Sequence, residues 1–599
     1  MEHNLLVRNI LRVYLPITML VSLTSTVATF INTFLTGIWL SDADVVSISV
    51  PSYLSLYISV TGSMVATGSS VIFLRYLAVG NRDKASNSYS IALYTAIGVG
   101  ALFMAICFLY SYTITQGYDT PLSHYISAEY VMAMGISAIP LLMLQIAIMF
   151  LRMDGDKYLA LACFFVYITV DIASVWYTVR EGNGPFGVGI SVGVGSAVAL
   201  MLAPIHHRIK NHNLVLKKPA ELLKGMKLIS KIGFRSLQNR ISMTLRYYFL
   251  KVFIVTSSLC ATSCLTAQNA VLHLVIAVFT GSAVMSAILC GMFYPQGDRK
   301  ALCDAVWGLA AISLMISAIV AVAVLIFSEG ITDLLVDDVE GRGSALWCLR
   351  WFAASIPTTT LCMILVYMYQ STKRTMLSNF LILFRGVALL ALMVLALAPI
   401  LGEAAVWTCF LLSDLCMLAF VVAMSWAHNR RFPRSLDDLM MLRGKKFESP
   451  SVFEGSIRNS RSELRELLAK MEKALNDGFV DEGTMKAALE RTERVIRGTI
   501  DRGYRDSDVH QIDVLVRKDD GLNIVIRDDC PTRMEALDGV RQAKALDLNI
   551  YYIDFKSSGG TVWTDISWRR VGCRGLRRPA GCHRSLGSIT PPSMAAGWT

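Results

Sequence analysis

Gly80-Asn81-Arg82-Asp83-Lys84-Ala85 returns 217 residues later as Gly297-Asp298-Arg299-Lys300-Ala301, with one residue skipped. Outward from this turn, the same offset carries Pro140, in Ser137-Ala138-Ile139-Pro140, onto Pro357, in Ala354-Ser355-Ile356-Pro357. It also carries the charged turn Asp154-Gly155-Asp156-Lys157 onto Ser371-Thr372-Lys373-Arg374. Self-similarity at a fixed offset decides architecture before any local reading does. The chain up to about residue 427 is therefore two copies of one unit.

The unit is helical and apolar. The chain is 54% hydrophobic and 17% charged, with a mean hydropathy of +0.50, against about 25% charged for soluble domains. A bilayer core of about 30 Å needs runs of about 20 apolar residues. Twelve such runs are read, centred near residues 22, 60, 98, 138, 168, 194, 243, 278, 314, 358, 388 and 415. Six fall in each copy, so the copies share one orientation and are related by an axis along the membrane normal. The first run is too long for a cleavable leader and lacks a small-residue cleavage site.

The net charge of +11 is placed for a membrane rather than for nucleic acid. Basic residues gather in every second loop: Arg82 and Lys84; Arg152 and Lys157; Arg208 to Lys227; Arg299 and Lys300; Lys373 and Arg374; Arg430, Arg431 and Arg434. The alternate loops hold Arg180 and Arg342 and little else. Positive loops stay inside, so both termini are expected in the cytoplasm of a multi-pass protein in a prokaryotic inner membrane. The expected domains are an N-lobe (1–205), a linker (206–230), a C-lobe (231–427), a basic linker (428–450), a soluble domain (451–568) and a disordered tail (569–599). The 13 Cys residues read as small buried hydrophobes in a reducing compartment, with no metal-ligand spacing. From Val571 onward the chain turns to Arg, Gly, Pro, Ser and Cys without periodicity, as disorder or a reading-frame artefact would.

Two like lobes meeting at a seam suit alternating access, one rocking against the other. Coupling that motion to an ion gradient needs a group that binds and releases a cation or proton, and a desolvated carboxylate does so. In Val166-Tyr167-Ile168-Thr169-Val170-Asp171-Ile172-Ala173-Ser174-Val175-Trp176, Asp171 is the lone charge. It is either an ion or proton site or a structural hydrogen bond across helices. Asp414 and Arg385 are the second-lobe intramembrane charges; they could pair with each other or handle substrate. Arg235, Arg240, Arg246 and Lys251 make the seventh segment cationic. Some of these would snorkel, but a basic cavity would favour an anionic substrate such as a lipid-linked phosphate.

Several stretches together resemble the multidrug and toxic compound extrusion (MATE) family over residues 5–427. They are Phe30-Ile31-Asn32-Thr33-Phe34-Leu35-Thr36-Gly37, Ile48-Ser49-Val50-Pro51, Gly62-Ser63-Met64-Val65-Ala66-Thr67-Gly68-Ser69-Ser70, Leu151-Arg152-Met153-Asp154-Gly155-Asp156 and Pro185-Phe186-Gly187-Val188-Gly189. The resemblance implies two six-helix bundles around a central cavity, exporting cationic or amphipathic compounds against Na⁺ or H⁺ entry. It implies coupling at Asp171 with Asn32 beside it. Asn32 stands where many members carry Asp, and Tyr167 where Asn is common. Asn can ligate Na⁺ but cannot take up a proton.

In the soluble domain, helices are expected at Ser460–Leu475 and Asp481–Ile500, alternating strands at Gln511–Val516 and Leu522–Arg527, and further strands at Leu548–Phe555 and Gly560–Ser567. Arg517-Lys518-Asp519-Asp520-Gly521 joins the first two as a hairpin. This order, ending in Ile526-Arg527-Asp528-Asp529-Cys530-Pro531, resembles the histidine-kinase-type ATPase domain in its anti-sigma-factor kinase form. The resemblance puts Arg494 and Gly498 at the positions of the acidic residue and the Mg²⁺-holding Asn. Arg502 stands for the usual His, and only Glu493 is acidic nearby. Asp528 takes the place of the adenine-reading Asp, but Cys530 replaces the following glycine, and only Gly539 remains of a glycine-rich lid. Glu493 and Asp528 are thus a vestigial nucleotide site. Without a metal-holding side chain, phosphoryl transfer loses its main charge stabiliser, and no ATP use is expected.

The sequence thus points to a helical secondary transporter rather than an enzyme, using Na⁺ or H⁺, with lipid and a small-molecule substrate as its partners. The tail would be a regulatory module, a docking place for a cytoplasmic regulatory protein. A flippase of lipid-linked polysaccharide precursors and a transport-dead membrane sensor are the competing readings.

Overall fold

The computed structural model describes residues 6–20, 53–78, 80–114, 121–208, 214–219, 221–257, 263–335, 339–442, 451–477, 480–503, 510–518, 521–530, 540–545 and 548–556. Met1–Phe555 form one compact unit. The fourth expected strand and the tail beyond it lie outside the described residues, as do residues 21–52, which include Asn32.

Among the described residues, twelve helices make up the part of the chain before residue 430. They are α1 (6–20), α2 (Tyr53–Leu77), α3 (Arg82–Ile114), α4 (Pro121–Met153), α5 (Lys157–Arg180), α6 (Gly184–Leu200), α7 (Leu222–Ser257), α8 (Ser263–Gln296), α9 (Arg299–Leu335), α10 (Val339–Ser371), α11 (Thr375–Leu401) and α12 (Ala404–Asn429). Ten of these, α2–α6 and α8–α12, are long and apolar enough to cross a membrane. The seventh departs from the expected apolar span. It is a 36-residue helix, and its charges keep it out of that set. Within the first lobe α2, α3, α4, α5 and α6 pack on one another, and within the second α8, α9, α10, α11 and α12 do the same.

The repeat is visible in the backbone. Gly80 and Gly297 end α2 and α8 with φ of +72° and +74°, a left-handed conformation that glycine adopts without steric cost. Pro140 and Pro357 both lie inside helices, α4 and α10. The charged turns are related one residue further along than the sequence offset implies. Gly155 and Lys373 are the left-handed residues, and Asp156 N–H bonds Leu151 O as Arg374 N–H bonds Tyr369 O.

The lobes meet through α2 against α7 and α8. At the crossing, a Cβ on Gly233 would sit 1.9 Å from Met64 O, and one on Gly68 2.3 Å from Ile229 O. Only the absence of side chains lets the backbones approach this closely. Nearer the basic loops, Arg75 Nη2 donates to Ser371 O of the other lobe at 3.0 Å. The bundle is therefore closed at the basic-loop end.

After a short helix α13 (Leu436–Met440) comes the soluble domain: β1 (Phe453–Arg458), α14 (Arg461–Asp477), α15 (Glu482–Gly503), β2 (Gln511–Lys518), β3 (Gly521–Asp528), β4 (Val540–Ala545) and β5 (Leu548–Lys556). The sheet order is β1-β2-β3-β5-β4. β1 and β4 were not anticipated, and β4 falls in the stretch read as a degenerate lid. Alternate strand residues point to opposite faces. Ile512, Val514, Val516, Ile524, Ile526, Tyr551 and Ile553 pack on Leu464, Leu467, Met471, Val495 and Ile496 of the two helices. The second face is also covered: Leu515, Val525, Ile550 and Tyr552 belong to the core of the membrane bundle.

Candidate functional site

Asp171 sits on α5, 1% exposed, beside α6. Ser191 Oγ of α6 donates to its Oδ1 at 2.9 Å and also bonds Val188 O at 2.8 Å. The side chains of Tyr130 and Tyr167 lie within its electrostatic reach. Tyr167 stands one turn before Asp171 on α5.

The second lobe carries a denser polar cluster. Asp414 of α12, 1% exposed, and Arg385 of α11, 7% exposed, form an ion pair through Oδ1 and Nε. Thr359, two residues after Pro357, donates to the other carboxylate oxygen, and Arg385 Nη2 donates to Thr359 Oγ1 at 3.1 Å. Arg385 lies in a π-helical turn, Phe384–Leu389, within α11; such turns often mark functional positions. A small cavity adjoins the pair, lined by Ser242, Arg246, Met363, Leu381, Arg385 and Gly386. Arg246 of α7 is 9% exposed and lies over the Phe410 ring at 5.2 Å. It forms none of the hydrogen bonds or ion pairs found among the described residues. Two guanidiniums and one carboxylate leave this cluster one positive charge in excess.

The sequence singled out Asp171, Arg385 and Asp414, and the structure buries all three. It joins the latter two, and holds Asp171 apart from them in the first lobe. Thr359 and Ser191 were missed; single hydroxyls in apolar helices carry no pattern to find them by. Lys251, expected with Arg246 to lie too deep in the segment to reach water, is instead exposed. Among the described residues no group of three or more His, Cys, Asp or Glu could hold a metal.

In the soluble domain Glu493 pairs with Arg497 at 3.3 Å on the surface of α15. Asp528 is fully buried. Its Oδ1 accepts from Asn549 Nδ2 at 2.8 Å and from Cys530 N–H at 2.9 Å. Burial pushes the Asp528 carboxyl up to about 7, with these bonds pulling the other way. The carboxylate is thus engaged by the domain's own Asn549 side chain and Cys530 backbone.

Comparison with known proteins bears on the membrane part. The MatE family model matches residues 16–176. No curated protein matches the chain by sequence. Among solved structures, MATE in complex with MaD5 is 16% identical with a TM-score of 0.62, covering 72% of this chain and 98% of that one. A MOP superfamily transporter from Pyrococcus furiosus, whose reverse binding-pocket polarity is said to suggest a different function, is 16% identical with a TM-score of 0.61, over 70% and 95%. An outward-facing multidrug resistance MATE transporter of that superfamily is 15% identical with a TM-score of 0.59, over 70% and 95%. The class is a two-lobed, multi-pass helical transporter fold. In particular, it is the fold of the MATE transporters.

Proposed function

We propose that the chain is a secondary active transporter that exports amphipathic or cationic compounds by alternating access, coupled to Na⁺ or H⁺ at Asp171. The single observation behind this reading is a buried, singly charged carboxylate within one of two repeat-related lobes whose seam is closed at one end. A buried carboxylate is costly when ionised, so binding a cation or proton changes the stability of the lobe around it. The basic loops support a cytoplasmic position for the closed end, both termini and the soluble domain. The state described is then closed toward the cytoplasm. The soluble domain, an ATPase-like fold without nucleotide chemistry, serves as a regulatory module.

The test is dye efflux from vesicles under an imposed Na⁺ or pH gradient. Wild type should pump, and Asp171→Asn should stop it while keeping the fold, since an amide oxygen still accepts from Ser191. Equal transport by the two proteins would remove Asp171 from the mechanism.

A second reading, transport of an anionic compound such as a lipid-linked phosphate, is favoured by the excess positive charge around Arg246. Accumulation of a lipid-linked intermediate on deletion would support it against drug export.

A further inference from the structure

The soluble domain covers its second sheet face with the transporter itself, and it does so at both repeat-related turns. On that face β2 presents Arg517, β3 presents Arg527 and β5 presents Tyr552, which are 5%, 2% and 5% exposed. Asp513 stands opposite Arg527 in the β2–β3 register. Arg517 Nη1 donates to Gly297 O at 2.5 Å. Arg527 donates to the Asp298 carboxylate and, at 3.2 Å, to Gln296 Oε1, and its guanidinium lies 5.3 Å from the centre of the Phe293 ring. All of these partners belong to the α8–α9 end of the second lobe. Tyr552 reaches the first lobe. Its hydroxyl donates to Ala78 O and accepts from Gln296 Nε2 at 3.3 Å. Its ring lies against Gly80, where an added Cβ would come within 3.1 Å of the ring and 3.4 Å of Arg541 Cβ. One tyrosine hydroxyl is thus bonded to both lobes at once.

A rigid sheet bonded to both lobes opposes their separation. Hydrogen bonds are gone by about 3.5 Å, so an opening of a few ångströms at this end must break the Tyr552 bridge or the Arg517 and Arg527 contacts. Breaking the latter would strand two arginines and Asp298 away from their partners while still largely buried, which is costly. Leu515, Val525 and Ile550 would lose their apolar cover with them. Arg75 and the Gly68–Gly233 crossing lie in the same closed end, so the domain sits over the seam that must part.

We propose that residues 451–556 are an intramolecular brace. The β2–β3–β5 face holds the two lobes closed at the basic-loop end, and the transport cycle proceeds only when that face lets go of at least one turn. This rests on the alternating-access reading above, and gives the ATPase-like domain a mechanical function in place of a chemical one.

The test uses the full-length protein in lipid nanodiscs. Spin labels are carried on bio-orthogonal residues at positions 84 and 300, both exposed and one in each lobe. Wild type should give a single short distance. Arg527→Ala should add a longer population, shifting the open-to-closed ratio by about tenfold, the scale of one buried charged hydrogen bond. The reciprocal swap Arg527→Asp with Asp298→Arg should restore the short distance. Amide exchange over residues 511–518 and 548–556 reports docking separately. Exchange that rises in Arg527→Ala while the distance stays short, in a protein that still pumps dye, would overturn the brace and leave the transporter intact. A protein whose lobes stay closed with the tail undocked, and which pumps nothing, would overturn both.

Discussion

Arg385 and Asp414 form a buried ion pair between α11 and α12, with Thr359 of α10 bonded to both members. Three helices of the second lobe are thus tied at one point within the apolar bundle.

Removing one member of the pair should cost far more than removing both. Arg385→Met leaves the Asp414 carboxyl without its counter-charge, a loss of about 3–5 kcal/mol for a buried pair. Arg385→Met with Asp414→Leu should recover most of it. Thermal unfolding in detergent, compared across the two single variants and the double, measures this. Additive losses would mean that the pair is not coupled.

Gly233→Ala should force α2 and α7 apart, because the new methyl meets a backbone carbonyl rather than a flexible side chain. Overpacking of this kind costs about 1–3 kcal/mol, and it acts on the closed state. Spin-label distances between the lobes should lengthen even with the soluble domain intact. An unchanged distance with unchanged melting would show that the crossing opens without strain.

Arg246→Gln should change which substrates are accepted. The cluster then carries no excess charge, so affinity for an anionic dye should fall by about tenfold or more, the scale of one desolvated charged hydrogen bond, while a cationic dye is unaffected or improves. Binding titrations with the two dyes check this. Equal losses for both would indicate a packing role against Phe410.

The soluble domain should weaken as pH rises. Its Asp528 carboxyl lies near 7 when folded, above about 3.9 when unfolded. The folded state therefore holds the proton more tightly. That stability is complete below about pH 4 and is lost as pH climbs through 7, by on the order of 4 kcal/mol. Asp528→Asn should flatten the dependence and protect the domain at pH 8. Amide exchange over β3 in the full-length protein, corrected for intrinsic rates, reads it; a wild-type profile as flat as the variant's would count against the buried carboxyl.

Much of the bundle was legible because lipid leaves few choices. Long apolar runs, alternating basic loops and a duplicated glycine turn each have one cheap solution, and Gly80 and Gly297 adopt it. Asp171, Arg385 and Asp414 stood out because charge is rare in such helices. The seventh segment was harder, since Arg246 and Lys251 on one helix meet opposite fates, one buried in the lobe and one exposed. The docked sheet was not legible at all. Arg517 and Arg527 in alternating strands look like residues bound for water, and only the bundle's own turns reveal why they are covered. β1 and β4 were too short and too polar to register.

The duplicated turn gives the soluble domain two handholds, and the covalent chain keeps it near both. When one grip slips, the other keeps the first within an effective concentration of the millimolar order. Individually weak contacts therefore suffice, and recapture is fast. A loose copy of the domain added from outside would compete poorly unless it too reached millimolar levels.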